Sequence, residues 1–130
     1  MPISVSNLSK DTEFGIFEIG MSKKGEINEL SKIVRPNIGV ITNISYAHAK
    51  NFKNLDQIAN AKSEIIKNIN KKGSIVLNAD DSFFNKHKKL ALNNKLKIYS
   101  FSLNKRNASV YIKKIIKQKN KFKMIINVNK

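Results

Sequence analysis

The chain of 130 residues has no cysteine and no tryptophan. Without cysteine there is no disulfide framework and no thiolate metal site. No apolar run approaches the ~18 residues of a membrane span. The first residues, MPISVSNLSKD, lack the basic-then-apolar pattern of a secretory signal, so the expected compartment is the cytoplasm and no membrane partner is expected. No zinc motif, Ser/His/Asp order, internal repeat or flexible linker is evident. Gly15, Gly20 and Ser22 have the spacing of a phosphate-binding loop, but Met21 stands where that loop needs its lysine. What remains is a chain of one domain's length, 41% apolar, able to bury a core.

Acid is missing from one half. Residues 1–81 hold 11 basic and all 9 acidic residues, whereas residues 82–130 hold 14 basic residues and no acid. A block of this kind can attract nucleic acid or an anionic surface. Yet only Arg35 and Arg106 are arginine, the residue suited to bidentate phosphate and base readout. Abundant Lys, Asn and Ile also fit AT-rich coding drift, with Lys filling solvated positions. Nucleic acid is therefore not the expected partner. A basic nucleic-acid module over residues 82–130 stays as the alternative, with Phe83, Phe84, Tyr99, Phe101, Tyr111 and Phe122 as stacking groups. The same aromatics lie within apolar runs and are expected to fill a core.

Along the chain, 14–19 (FGIFEI) reads as a buried strand ended by Gly20. Residues 25–34 read as a helix, with Ile27, Leu30 and Val34 at helical spacing and Pro36 as the stop. Residues 38–44 (IGVITNI) read as a strand and 54–69 as a helix capped by Asn54. Residues 74–78 (SIVLN) read as a strand, 81–93 as a helix and 96–101 (LKIYSF) as a strand. This alternation predicts an α/β fold with a mostly parallel sheet flanked by helices. VYIKKIIK and KFKMIINV, flanking Gln118-Lys119-Asn120, predict a C-terminal antiparallel hairpin with lysines on its wet face.

In open parallel sheets, ligands bind beyond the carboxyl ends of the strands. Glu18 ends the first strand, Asn43 ends the second and leads to His48, and Asn78, Asp80 and Asp81 follow the third. A carboxylate in a strand buried on both faces needs a cation or strong donors, unless Glu18 sits at a frayed end and reaches solvent. His48 lies in a polar loop, as a ligand or as an ordinary loop residue. His87 lies in the run NKHKK and is given no role. Lys62 is anomalous. Wound as a helix, Leu55, Ile58, Ala59, Ile65, Ile66 and Ile69 share an arc of about 120° with Lys62 at its middle. Its ammonium either snorkels to water or is a desolvated amine with a lowered pKa. A neutral amine can take up carbon dioxide as a carbamate, an oxygen ligand for a hard cation such as Mg²⁺.

Together these residues resemble a known family. Phe17-Glu18-Ile19-Gly20-Met21, Gly25-Glu26-Ile27, Leu30-Ser31, Arg35-Pro36, Thr42-Asn43-Ile44, Ala47-His48, Phe52, Ala61-Lys62-Ser63-Glu64-Ile65 and Asn78-Ala79-Asp80 are similar, in order and spacing, to the central domain of the Mur ligases. The run E-I-G-M-x-x-x-G-E-I is similar to the branch that joins D-Ala-D-Ala to UDP-MurNAc-tripeptide. The resemblance spans residues 2–110.

It implies a P-loop-type central domain using ATP and Mg²⁺. Glu18 and His48 match magnesium ligands near the ATP phosphates, and Lys62 matches a lysine carbamylated in several branches. Lys62 and His48 are thereby the catalytic candidates. Asn78 matches a residue contacting adenine, with Asp80 beside it, and Asn43 and Ser45 match a loop on the substrate side. The implied reaction is amide formation through an acyl phosphate, with UDP-MurNAc-tripeptide and D-Ala-D-Ala as substrates. The resemblance also implies that residues 1–130 are a partial central domain. The N-terminal UDP-sugar domain, the P-loop and the C-terminal domain of the full ligase have no counterpart here. The isolated chain is expected to be inactive, as a fragment or a non-catalytic remnant.

Overall fold

The structure, a computed structural model, describes residues 5–46, 51–119 and 121–129. Helix α1 (Glu26–Val34) begins after Gly25, whose φ of 92° favours glycine. Its free N-terminal N–H groups are met from another element. Glu64 accepts from Gly25 N at 2.9 Å and from Asn28 N at 3.0 Å. The helix ends at Arg35 in a left-handed conformation, directly before Pro36. Strand β1 (Ile38–Ile41) follows. Helix α2 (Leu55–Ser63) is capped by Asn54, whose side chain accepts from Gln57 N. It tightens into a 3₁₀ segment, Glu64–Asn68. Then come β2 (Ser74–Asn78), α3 (Phe84–Asn93), β3 (Lys97–Ser102), β4 (Val110–Gln118) and β5 (Lys121–Val128).

The strands form one sheet in the order β1-β2-β3-β4-β5. β1, β2 and β3 are parallel in register, Val40 beside Val76 and Val76 beside Tyr99. β4 joins β3 in parallel only at its first two residues, then pairs antiparallel with β5, with a bulge between Ile112 and Lys114. The fold class thus matches the sequence reading. One cluster forms the core: Ile41, Ile75 and Leu77 from the sheet against Ile58, Ala59, Ile66 and Ala91 from the helical side. Gly73 is needed where chain segments crowd, since a Cβ there would lie 2.6 Å from the Asn37 carbonyl oxygen. No helix among the described residues is long and apolar enough to cross a membrane.

The largest departure is at 14–19. Those residues have no strand structure, and β1 is an outer strand of the sheet. The apolar run gave a strand signal, but a strand needs a ladder partner, and none of the described residues pairs with it. Phe14 and Ile16 are consequently exposed. The second strand ends at Ile41 rather than Ile44, because Thr42 and the residues after it leave the ladder toward other partners.

The sheet is covered on one side. Ile38, Val40 and Tyr99, on the opposite face, are 63%, 51% and 51% exposed. Parallel sheets are ordinarily covered on both faces. The hairpin has an apolar face as well as a lysine face, with Ile115, Phe122, Met124, Ile126 and Val128 all exposed. Phe83 and Phe84 pack against the core as expected, but Tyr99 and Phe122 do not. Apolar alternation on those strands marks a face able to be buried, and nothing among the described residues covers it.

Candidate functional site

A cleft of about 420 Å³ opens at the carboxyl end of β1, between residues 17–21, residues 40–42 and the flank of α2. It brings Glu18 and Lys62 to one cavity. Glu18 is exposed there rather than enclosed, because its segment is not a buried strand. Of the alternatives the sequence left open, a carboxylate reaching solvent describes it, though not at a strand end, and it lines the cleft.

Lys62 sits half-buried near the end of α2. Ile58, Ala59 and Ile66 around it are buried, as the helical arc predicts. The side chain does not simply snorkel. Its Nζ donates to the Asn43 carbonyl at 2.6 Å. Burial pushes the amine below the usual lysine range, and the nearby Asp81 carboxylate partly opposes that shift.

Asn43 and Ser45 flank Ile44, whose N–H donates to Asp81 Oδ2 at 2.8 Å. Asn78 ties the strand ends together. Its Nδ2 donates to the Thr42 carbonyl at 3.1 Å and its Oδ1 accepts from Asp80 N at 2.9 Å. One N–H and one lone pair of that amide remain for a ligand. Asp80 turns away from the cleft: Ser102 Oγ and Leu103 N donate to its two oxygens, each at 2.7 Å. The Ser102 hydroxyl, followed by backbone donors, holds its carboxyl below the usual range. Lys105 Nζ donates to the Ala79 carbonyl between Asn78 and Asp80. His48 lies outside the described residues.

The structure thus places Glu18 and Lys62 on the cleft, with Asn43 bonded to Lys62 and Asn78 one hydrogen bond from the cleft wall. Asp80 serves the β3 turn. Among the described residues no three His, Cys, Asp or Glu side chains are placed to hold a metal. Sequence reading put Asp81 at the polar sheet edge without a specific role and gave none to Glu64 or Lys105. The signal for Asp81 was present: an aspartate three residues before the first residue of α3 can close an Asx-turn, and its Oδ1 accepts from Phe83 N. The other two reach across long sequence separations that no local pattern reports.

A one-sided, mostly parallel α/β sheet with polar groups converging at its carboxyl edge is the arrangement in which open α/β domains bind ligands. The family model for the Mur ligase middle domain matches residues 1–130. The chain belongs to that family. It is 45% identical over 103 residues to the UDP-N-acetylmuramoyl-tripeptide--D-alanyl-D-alanine ligase of Rickettsia prowazekii, covering 76% of this chain and 22% of that protein. Against the ligase of that name from Buchnera aphidicola subsp. Baizongia pistaciae it is 35% identical, covering 95% and 27%. A crystal structure of MurF from Acinetobacter baumannii superposes with a TM-score of 0.84 at 29% identity, over 93% of this chain and 26% of that one. A MurF ligase from Thermotoga maritima, solved in complex with ADP, shares the fold at TM-score 0.73 and 23% identity, over 85% and 25%. The chain therefore spans about a quarter of the length of these relatives.

Proposed function

We propose that this chain is part of the central domain of an ATP-dependent ligase of peptidoglycan precursor synthesis. The parent enzyme joins D-Ala-D-Ala to UDP-MurNAc-tripeptide in the cytoplasm. The observation that carries the reading is the half-buried Lys62 amine, hydrogen-bonded to the Asn43 carbonyl in the cleft that also holds Glu18. A family relationship with relatives named for this reaction supports it.

The substrate carboxylate attacks the γ-phosphorus of ATP, giving an acyl phosphate and ADP. The amine of D-Ala-D-Ala then attacks the acyl carbon, and phosphate leaves with the amide formed. Mg²⁺, when bound, supplies charge neutralisation for the phosphates. Glu18 fits that cation as an exposed carboxylate on the cleft wall, and His48 would be a second ligand. Lys62 fits it only after carbamylation, since an ammonium repels a cation. Its lowered pKa raises the share of neutral amine able to react. Asn78 would offer its remaining N–H and lone pair to adenine.

Purified 1–130 is expected to release no phosphate and form no amide, because it spans only about a quarter of its relatives' length. The deciding experiment reads the coding sequence on either side. In-phase sequence for a G-K-[ST] phosphate loop upstream and a ligase domain downstream supports the proposal. Genuine stop codons with unrelated flanking genes would leave only a remnant, and the activity would be withdrawn.

A further inference from the structure

One peptide unit beside the cleft is gripped from both sides. The carbonyl of Asn43 accepts from Lys62 Nζ at 2.6 Å, and the adjoining N–H of Ile44 donates to Asp81 Oδ2 at 2.8 Å. Asp81 is itself anchored, because its other oxygen accepts from Phe83 N at 2.8 Å at the turn into α3. Three separate parts of the chain therefore meet on this peptide: the exit of β1, the end of α2 and the turn after β2. A peptide bond is planar and does not rotate freely, so fixing its donor and its acceptor fixes its plane. The buried Ile44 side chain, 8% exposed, adds a third constraint. A flip of this peptide would remove the partner of Lys62 and release its long side chain toward water.

We propose that Asp81 is a positioning residue of the cleft: it orients the Asn43–Ile44 peptide so that the Asn43 carbonyl holds Lys62 Nζ at the cleft wall. The word "positioning" rests on the ligase reading, whereas the grip itself does not. Asp81 touches neither the cleft nor a ligand in this role. Beside the direct pull of its charge on Lys62, it acts through a backbone group on Lys62 and on the direction of the chain leaving β1 toward Ser45.

The test is nuclear magnetic resonance on the full 130-residue chain. It follows the Ile44 amide, the Lys62 ammonium and the amides of β2 and β3. Asp81→Ala should speed Ile44 exchange roughly ten- to a hundredfold, as expected for losing a hydrogen bond to a charged acceptor. It should also abolish the ordered Lys62 ammonium signal while β2 and β3 exchange as before. Asp81→Asn keeps one acceptor oxygen and should restore part of both signals. Lys62→Met should loosen Ile44 from the opposite side. Should the alanine variant not fold, the asparagine and methionine variants carry the same readout. An unchanged Ile44 amide, or a uniform rise at every core amide with Lys62 unaffected, would overturn the proposal. None of these signals depends on ligation, so failure of the ligase reading and failure of the grip are told apart.

Discussion

His87 makes acid a specific threat to this fold. Its side chain is 2% exposed between α3 and α2, with Nε2 placed 3.2 Å from the Ala59 carbonyl oxygen. Burial, the largest cause, pushes its pKa below the usual 6.5; the Ala59 carbonyl and Asp81 oppose that shift, and Lys86 and Lys62 add to it. The folded state thus resists a proton that the unfolded state accepts. Stability is unaffected above about pH 6.5 and falls as the pH drops from there to the lowered folded value, where the loss levels off. One proton sets a ceiling of about 1.4 kcal/mol per pH unit, hence about 2 kcal/mol between pH 6.5 and pH 5. The perturbation is His87→Gln, which keeps a donor for Ala59 and does not titrate. Urea unfolding of both proteins from pH 7.5 to pH 5 should give curves that separate only below about 6.5, with the variant flatter. The lowered carboxyls of Glu26, Asp56 and Asp80 are common to both proteins and cancel in the difference. Parallel profiles would refute the assignment of a buried, neutral His87.

Glu64→Ala should cost about 1–2 kcal/mol in urea unfolding, because it strips the N-terminus of α1 of the carboxylate that accepts from Gly25 N and Asn28 N. Lys62→Met should flatten the alkaline side of the stability profile. A lysine with a lowered folded pKa makes stability rise with pH from that value up to about 10.5, and the variant loses this slope. Gly73→Ala should lower the melting temperature, by about 1–3 kcal/mol of strain, since the new methyl meets the Asn37 and Asn70 carbonyl oxygens. An unchanged melting temperature would mean that turn gives way easily.

Elements with a clear local pattern were legible. SIVLN is β2 as read, and the hairpin strands match within a residue, because alternation and helix periodicity are local signals. Asn54 caps α2 as its position suggested. FGIFEI failed for the opposite reason: its composition was right, but pairing depends on a neighbour that composition does not describe. His87 was hidden by its own flanks. Lys86, Lys88 and Lys89 make the run look solvated, while Phe83, Leu90 and Ala91 turn the same face inward. For the site, the anomaly at Lys62 could be read from helix geometry alone, but its partner could not. Asn43 lies 19 residues away, and the contact is with its backbone. The bonds of Asp80 to Ser102 and Leu103 were not legible, because a carboxylate after a strand is as useful for closing a turn as for meeting a ligand.

The uncovered sheet face gives this chain an unusual colloidal character. Ile38, Val40 and Tyr99 offer a sticky surface, while a formal charge of +16 drives copies apart. The repulsion reaches about 10 Å at 0.1 M salt and only about 3 Å at 1 M, whereas apolar attraction survives. Purified chain should therefore stay dispersed in dilute buffer and self-associate as salt is added, the reverse of what salt does to a complex held by charge.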